Sequence, residues 1–439
     1  MSIWVLVVDP ATKVRFLKRL PEGSFVVGGG LFINGLAAYV FITLASRDLG
    51  AEAYSPVAML WALSFLFGPG FFHPLEQETS RTIASRSGHG VIPVLRAAAL
   101  IGGLAVLFLL VLAGFSAGWV KKNIFSDEPW LLVSLFLVVV GLGLSHLTKG
   151  LLAGLGRFGG YARYVIGEGL GRLIIVFILL LVTSGSVGVY GMAIGLAPFV
   201  GIVTALIGQR GFLTPGPVVH LSSLSKALGI LLVASVATAL VLNVSPVVVE
   251  LLAGHGQENE SGRFFNALLI ARIPLFFFQA VQASLLPQLS GLVGAGQYER
   301  LLRVLNRLLV FLGVVGVLVV IMAALAGPWI VEFTFGSEFA VGRRDMTFLS
   351  ISSTGLMIVL SLAQGLIACK SRGLMALAWL IGVGFSPVVL ILVEDLFLRV
   401  ELALIVTVFL TAASMALFLV KKIQEEISSK TSEFLRPNC

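Results

Sequence analysis

Residues 269–290, "LIARIPLFFFQAVQASLLPQLS", are apolar enough to lie in lipid, yet they carry an arginine at 272, a proline at 274 and glutamines at 279 and 282. A helix rising 1.5 Å per residue needs about 20 such residues to cross roughly 30 Å of hydrocarbon. Within a span drawn from 264 to 289, Arg272 lies about 12 Å below the boundary at that rise. A charge at that depth has to snorkel to the headgroups or face a bundle interior or a wet cavity. Snorkelling over that distance strains even a long side chain, so the cavity is the preferred reading. Pro274 has no amide hydrogen for the carbonyl of Ile270, which predicts a kink beside the charge. At 100° per residue Gln279 falls within roughly 20° of Arg272, making one polar, broken face.

The same reading extends along the chain. Of its 439 residues, 58% are hydrophobic and 12% charged, about half the charge density of a soluble domain. Apolar runs place spans at 25–45, 54–75, 95–115, 129–153, 164–183 and 187–208, then at 224–244, 264–289, 304–325, 347–369, 373–393 and 400–420. The fold class is an all-α polytopic membrane protein of twelve transmembrane helices. With the N-terminus inside, the inner segments hold most of the 30 Lys and Arg residues. The outer exceptions are Arg47, Lys121, Lys122, Arg263, Arg343, Arg344 and Arg399. This bias predicts both termini in the cytoplasm. The net charge of +8 follows from topology, and no nucleic-acid partner is expected, because such a footprint would cluster on one soluble face.

The first 24 residues read as an interfacial lead-in, since "WVLVV" precedes its basic residues instead of following them as in a signal peptide. Six spans on either side of the Gly- and Pro-bearing link at 208–226 suggest a parallel repeat. The expected units are an N-terminal lobe over 1–217, a C-terminal lobe over 218–420 and a cytoplasmic tail over 421–439. Cys369 and Cys439 support neither a metal cluster nor a prenylation box. "GLGRFG" at 154–159 follows a membrane helix and not a strand, so it reads as a loop, and no P-loop or HExxH occurs. No catalytic residue, cofactor or metal is expected, and the chain is not read as an enzyme.

Ionisable and amide side chains inside spans then become the candidates. Glu168 and Arg172, spaced i, i+4 in "GEGLGR", fit either an internal ion pair or substrate handling. Asn34 stands at the midpoint of span 1, where an amide needs a helix partner, water or substrate. His146 and Lys149 close span 4, with Lys149 able to reach the interface; His73, Glu76, Glu78 and Arg81, after span 2, are assigned mostly to water. Arg172 and Arg272 against Glu168 leave the interior neutral to positive, which suits an anionic head group, because a guanidinium matches phosphate.

Three stretches resemble the multidrug, oligosaccharidyl-lipid and polysaccharide exporter superfamily, especially its polysaccharide-biosynthesis flippases: "ASRDLGAEAYS" at 45–55, "ARIPLFFFQAVQASLLPQLSGLVGAGQYERLLRVLNR" at 271–307 and "VEFTFGSEFAVG" at 331–342. The resemblance implies two six-helix lobes around a central cavity, alternating access, and a location in the bacterial plasma membrane. It implies as substrate an undecaprenyl-pyrophosphate-linked oligosaccharide or polysaccharide precursor, with membrane lipids and glycan-assembly enzymes as partners. In that reading Arg272 meets the pyrophosphate, Gln279, Asn34 and Arg172 add contacts, and Glu168 carries a coupling ion. The cavity cations are sparser than in the peptidoglycan-precursor branch. The alternative is a proton- or sodium-coupled antiporter of drugs or organic cations.

Overall fold

The computed structural model describes residues 24–86, 90–182, 186–211, 213–218, 221–254, 256–257 and 259–434. The lead-in before residue 24 lies outside them. Helix accounts for nearly all of the rest. The run Ser24–Phe67 is broken at Gly50, whose φ of 72° and ψ of 174° end one rod and start the next. A residue with a Cβ resists that φ. Span 1 is therefore 24–49. Span 2 starts at 51 and continues through a π turn, Gly68–Phe72, into His73–Ser85.

Spans 3 to 6 are Ile92–Phe115, Pro129–Gly154, Phe158–Val182 and Val187–Leu206. Span 7 comprises Leu221–Asn243 and Ser245–Leu252, whose axes bend by 59°. Span 8 comprises Glu260–Ala271 and Ile273–Gly294, with Arg272 at the break. Spans 9 to 12 are Tyr298–Phe335, Arg343–Ala368, Arg372–Leu392 and Leu396–Phe434. Helices 2, 9 and 12 run well past the apolar windows that mark them in the sequence, because amphipathic turns extend them beyond hydrocarbon depth.

The two halves use one packing plan. In the first, span 1 or 2 packs on 5, span 2 on 4, 3 on 4, 4 on 6 and 5 on 6; in the second, 7 packs on 11, 8 on 10, 9 on 10, 10 on 12 and 11 on 12. Small residues allow the close approaches, as they do generally in membranes. A Cβ on Gly150 would lie 2.8 Å from the carbonyl oxygen of Glu76, fixing spans 2 and 4 at backbone contact.

Between the lobes the packing is uneven. At the end of the bundle opposite the termini, one apolar core is shared: Phe41, Tyr54, Met59 and Phe125 of the first lobe join Phe264, Phe335, Phe339 and Met346 of the second. Toward the termini the cores separate. Leu285, Leu301, Leu362, Trp379 and Met415 form a core of the second lobe alone, while Ile83, Val94 and Leu151 form one within the first.

Candidate functional site

The shared core is bordered by a polar latch. The break at Gly50 leaves the Ala51 amide without a partner in its own helix, and it donates to Glu338 Oε2 at 2.9 Å. A carboxylate at a helix start satisfies both an orphan donor and the helix dipole. Arg47 donates from Nε to the carbonyl of Thr334 at 2.8 Å and from Nη2 to that of Phe333. Deeper in, Tyr54 donates its hydroxyl to Asn266 Oδ1 at 2.8 Å, and the Gly262 amide donates to Ser55 Oγ at 3.1 Å. Tyr54 and Asn266 are sealed from solvent. Glycine at 262 is required: a Cβ there would sit 2.6 Å from Ser55 Oγ and 3.2 Å from Ser55 Cα. Two stretches singled out in the sequence, 45–55 and 331–342, thus meet.

Below the latch, spans 1, 8, 7 and 2 are joined by a second device. Pro246 has no hydrogen for the carbonyl of Leu242, and the Arg272 guanidinium donates to that oxygen through Nη1. Pro69 likewise leaves the carbonyl of Phe65, and Asn243 Nδ2 donates to it at 3.3 Å. Where span 8 breaks, Tyr39 of span 1 donates its hydroxyl to the carbonyl of Leu269 at 3.1 Å. Each helix break presents a carbonyl, and a neighbouring span supplies the donor. Exposed backbone acceptors at membrane depth would otherwise cost several kcal/mol each.

Arg172 is placed differently. It is buried within the first lobe, with its guanidinium 4.6 Å from the ring centroid of Trp61 and 5.7 Å from that of Phe41. Its Nη2 lies 4.0 Å from Glu168 Oε1, and its Nε has no hydrogen-bond partner among the described residues. Glu168 is consequently held loosely. Asn34 faces span 5, where a Cβ on Gly169 would come within 2.5 Å of its Oδ1; that oxygen is buried without a partner among the described residues.

The candidates are thus divided. Asn34, Glu168 and Arg172 gather where spans 1, 2 and 5 meet, whereas Arg272 lies at the lobe boundary beside Tyr39. Two residues along a helix turn it by about 200°, so Tyr39 and Phe41 put the two arginines on opposite faces of span 1. The side chain of Gln279 lies outside the described residues. Arg272 also borders, with Ser352 and Ser353, a crevice too narrow to admit water. A pocket of about 60 Å³ lies inside the second lobe between both pieces of span 7 and spans 11 and 12, where Ser245, Ser386 and Thr407 interrupt an apolar wall.

A span 2 ending at 75 would leave Glu76 and Glu78 in water; both are buried. The helix continues through the π turn and keeps Glu76 against His146 and Lys149 of span 4. Glu78 pairs with Arg81. Tyr39, Tyr54, Asn243 and Asn266 do not stand out in the sequence. The prolines at 69 and 246 signal which carbonyls are freed, but not which side chains reach them.

Compared with solved structures, the chain aligns over nearly its full length with an inward-facing multidrug resistance MATE family transporter of the MOP superfamily. The TM-score is 0.71 at 14% identity, over 91% of this chain and 96% of that one. The fold is that of the MATE transporters. An outward-facing form of a multidrug resistance MATE family transporter gives a TM-score of 0.63 at 14% identity over 93% and 97% of the two chains. The MATE transporter ClbM in complex with Rb+ gives 0.59 at 16% over 94% and 97%. No family model matches the sequence. Among curated proteins, the uncharacterized protein Rv1510 of Mycobacterium tuberculosis (strain ATCC 25618 / H37Rv) is 26% identical over 392 residues, 86% of this chain and 87% of that protein. The uncharacterized protein Mb3654 of Mycobacterium bovis is 23% identical over 86% of this chain and 88% of that protein. The protein has the architecture of a multi-pass membrane protein.

Proposed function

We propose that this protein is a secondary transporter of the plasma membrane that works by alternating access and exports an amphipathic organic compound against a flow of protons or sodium ions. The observation that carries this reading is the unequal joining of the lobes: one core and a polar latch at one end, separate cores at the other. With the termini in the cytoplasm, as the distribution of basic residues argues, the latched end is the outer one. Opening the latch and closing the other end exchanges access while each lobe keeps its own core. The fold is known in both inward-facing and outward-facing forms.

For the cargo, the antiporter reading now has better support than the flippase reading expected from the sequence. The similar solved proteins are described as multidrug resistance transporters. The guanidinium of Arg272 donates to the Leu242 carbonyl, a structural task that accounts for a cation at this depth without an anionic cargo. Glu168, loosely held at 4.0 Å from Arg172, is the proposed carrier of the coupling ion.

A lipid-linked glycan remains the second reading, because Phe276 and Phe277, beside Arg272, are exposed and offer an apolar flank to an acyl tail. Proteoliposomes test both. An imposed proton or sodium gradient should drive uptake of a fluorescent organic cation, and Glu168→Gln should abolish the coupling. Gradient-independent translocation of a lipid-pyrophosphate sugar, with no cation flux, would overturn the antiporter assignment.

A further inference from the structure

Glu76 stands at the centre of a cluster that joins spans 2, 4 and 5. Its Oε2 is 2.7 Å from His146 Nδ1 and 3.8 Å from His73 Nδ1, and its Oε1 accepts from the Tyr161 hydroxyl at 2.9 Å. Lys149 Nζ lies 3.3 Å from the same Oε2. One ligand atom each of His73, Glu76 and His146 falls within 4.8 Å of the others. Sequence spacing carries no sign of this, since His146 comes from a different span and matches no metal motif with the other two.

We infer that His73, Glu76 and His146 form a site for a divalent transition metal of the Zn2+ class, at the terminus-bearing end of the first lobe. Two imidazoles and one carboxylate suit zinc, cobalt or nickel, and leave a fourth position for water. Ligand atoms about 2.0–2.1 Å from a tetrahedral ion are about 3.3–3.4 Å apart, so the two donor pairs at Glu76, now at 2.7 and 3.8 Å, need only sub-ångström changes, while the two imidazole donors, within 4.8 Å of each other, close by at most about 1.5 Å. The framework holds them there. His73 and Glu76 share a helical face at i, i+3, the π turn Gly68–Phe72 sets the start of that helix, and Gly150 brings span 4 to backbone contact with Glu76. π turns of this kind recur at functional sites.

Supporting partners are present as well. The Gln77 side-chain amide lies 2.9 Å from His73 Nε2; ligation through Nδ1 puts the ring proton on Nε2, so the amide then turns its oxygen to accept it, and the Tyr161 hydroxyl holds the second carboxylate oxygen. His73 is partly exposed, which gives an ion a route in, while Glu76 and His146 are buried. Without metal, the Lys149 ammonium supplies the positive charge that Glu76 requires. A bound ion displaces it toward the face of Tyr164, whose ring centroid is already 5.3 Å from Nζ. Lys149 and the metal therefore compete for one carboxylate.

The test uses the purified full-length protein in detergent, stripped with a chelator and titrated with Co2+, whose visible absorption reports coordination, then with Zn2+ in competition. One saturable equivalent with a four-coordinate spectrum, displaced by Zn2+, is expected. His73→Ala should weaken binding at least tenfold without lowering the thermal midpoint of the metal-free protein, since this ring is partly exposed. Lys149→Met should tighten it by a similar factor. Absence of saturable binding, binding by Lys149→Met alone, or binding unaltered by His73→Ala would each overturn the site.

Discussion

Replacing Tyr54 by phenylalanine removes one hydroxyl from a sealed position and should move the balance between the two access states. In the latched form the Tyr54 hydroxyl is the donor to Asn266 Oδ1 at 2.8 Å, and Asn266 Nδ2 already lacks a partner among the described residues. Tyr54→Phe would leave both ends of that amide unpaired in a dry site, at a cost of about 1–3 kcal/mol. When the lobes part, water reaches Asn266 and the cost disappears. The population ratio should therefore shift roughly 5- to 150-fold toward the form open at this end.

Ser261, fully buried beside Gly262, supplies the reporter. In a background with Cys369 and Cys439 changed to Ser, Ser261→Cys should react with an impermeant maleimide only when the latch opens. Its labelling rate should rise with Tyr54→Phe and return toward the starting value when Asn266→Leu is added, because an apolar pair has nothing to leave unsatisfied. An unchanged rate in Tyr54→Phe would refute the latch as an energetic element of the closed state.

Gly262→Val should open the same end more strongly, since its side chain would collide with the Ser55 backbone; the same labelling assay reads it. Arg272→Met should destabilise the protein by about 1–3 kcal/mol by exposing the Leu242 carbonyl, lowering the thermal midpoint in detergent, and adding Pro246→Ala should recover much of the loss by restoring an amide donor. Trp61→Leu should cost about 0.5–2 kcal/mol of the support under Arg172, with a lower thermal midpoint that Arg172→Met largely masks. Asp395, which caps the last helix, has its carboxyl held below the usual range by the Leu398 amide. A lowered value means stabilisation present at neutral pH and lost as pH falls through it, so thermal melts of Asp395→Asn between pH 7 and 3 should show a shallower acid decline than the natural protein.

The membrane class and the run of spans are legible because hydrocarbon thickness sets a length that apolar runs must meet. Arg272 is legible as an anomaly for the same reason. Its partner is not, since the Leu242 carbonyl is a backbone atom 30 residues away that becomes available only because Pro246 follows it. The latch is hidden similarly: Asn266 and Tyr54 look like ordinary interfacial residues until span 8 is laid on span 2. The burial of Glu76 escapes a hydropathy window, which ends where polar residues begin, while the helix does not.

The donors that answer Pro69 and Pro246 make proline and its distant helper a single heritable unit. Losing Pro246 alone would return an amide to Leu242 and strand a guanidinium in oil; losing Arg272 alone would strand a carbonyl. Drift at either site is therefore safest as a paired exchange, and related chains should hold both members or neither.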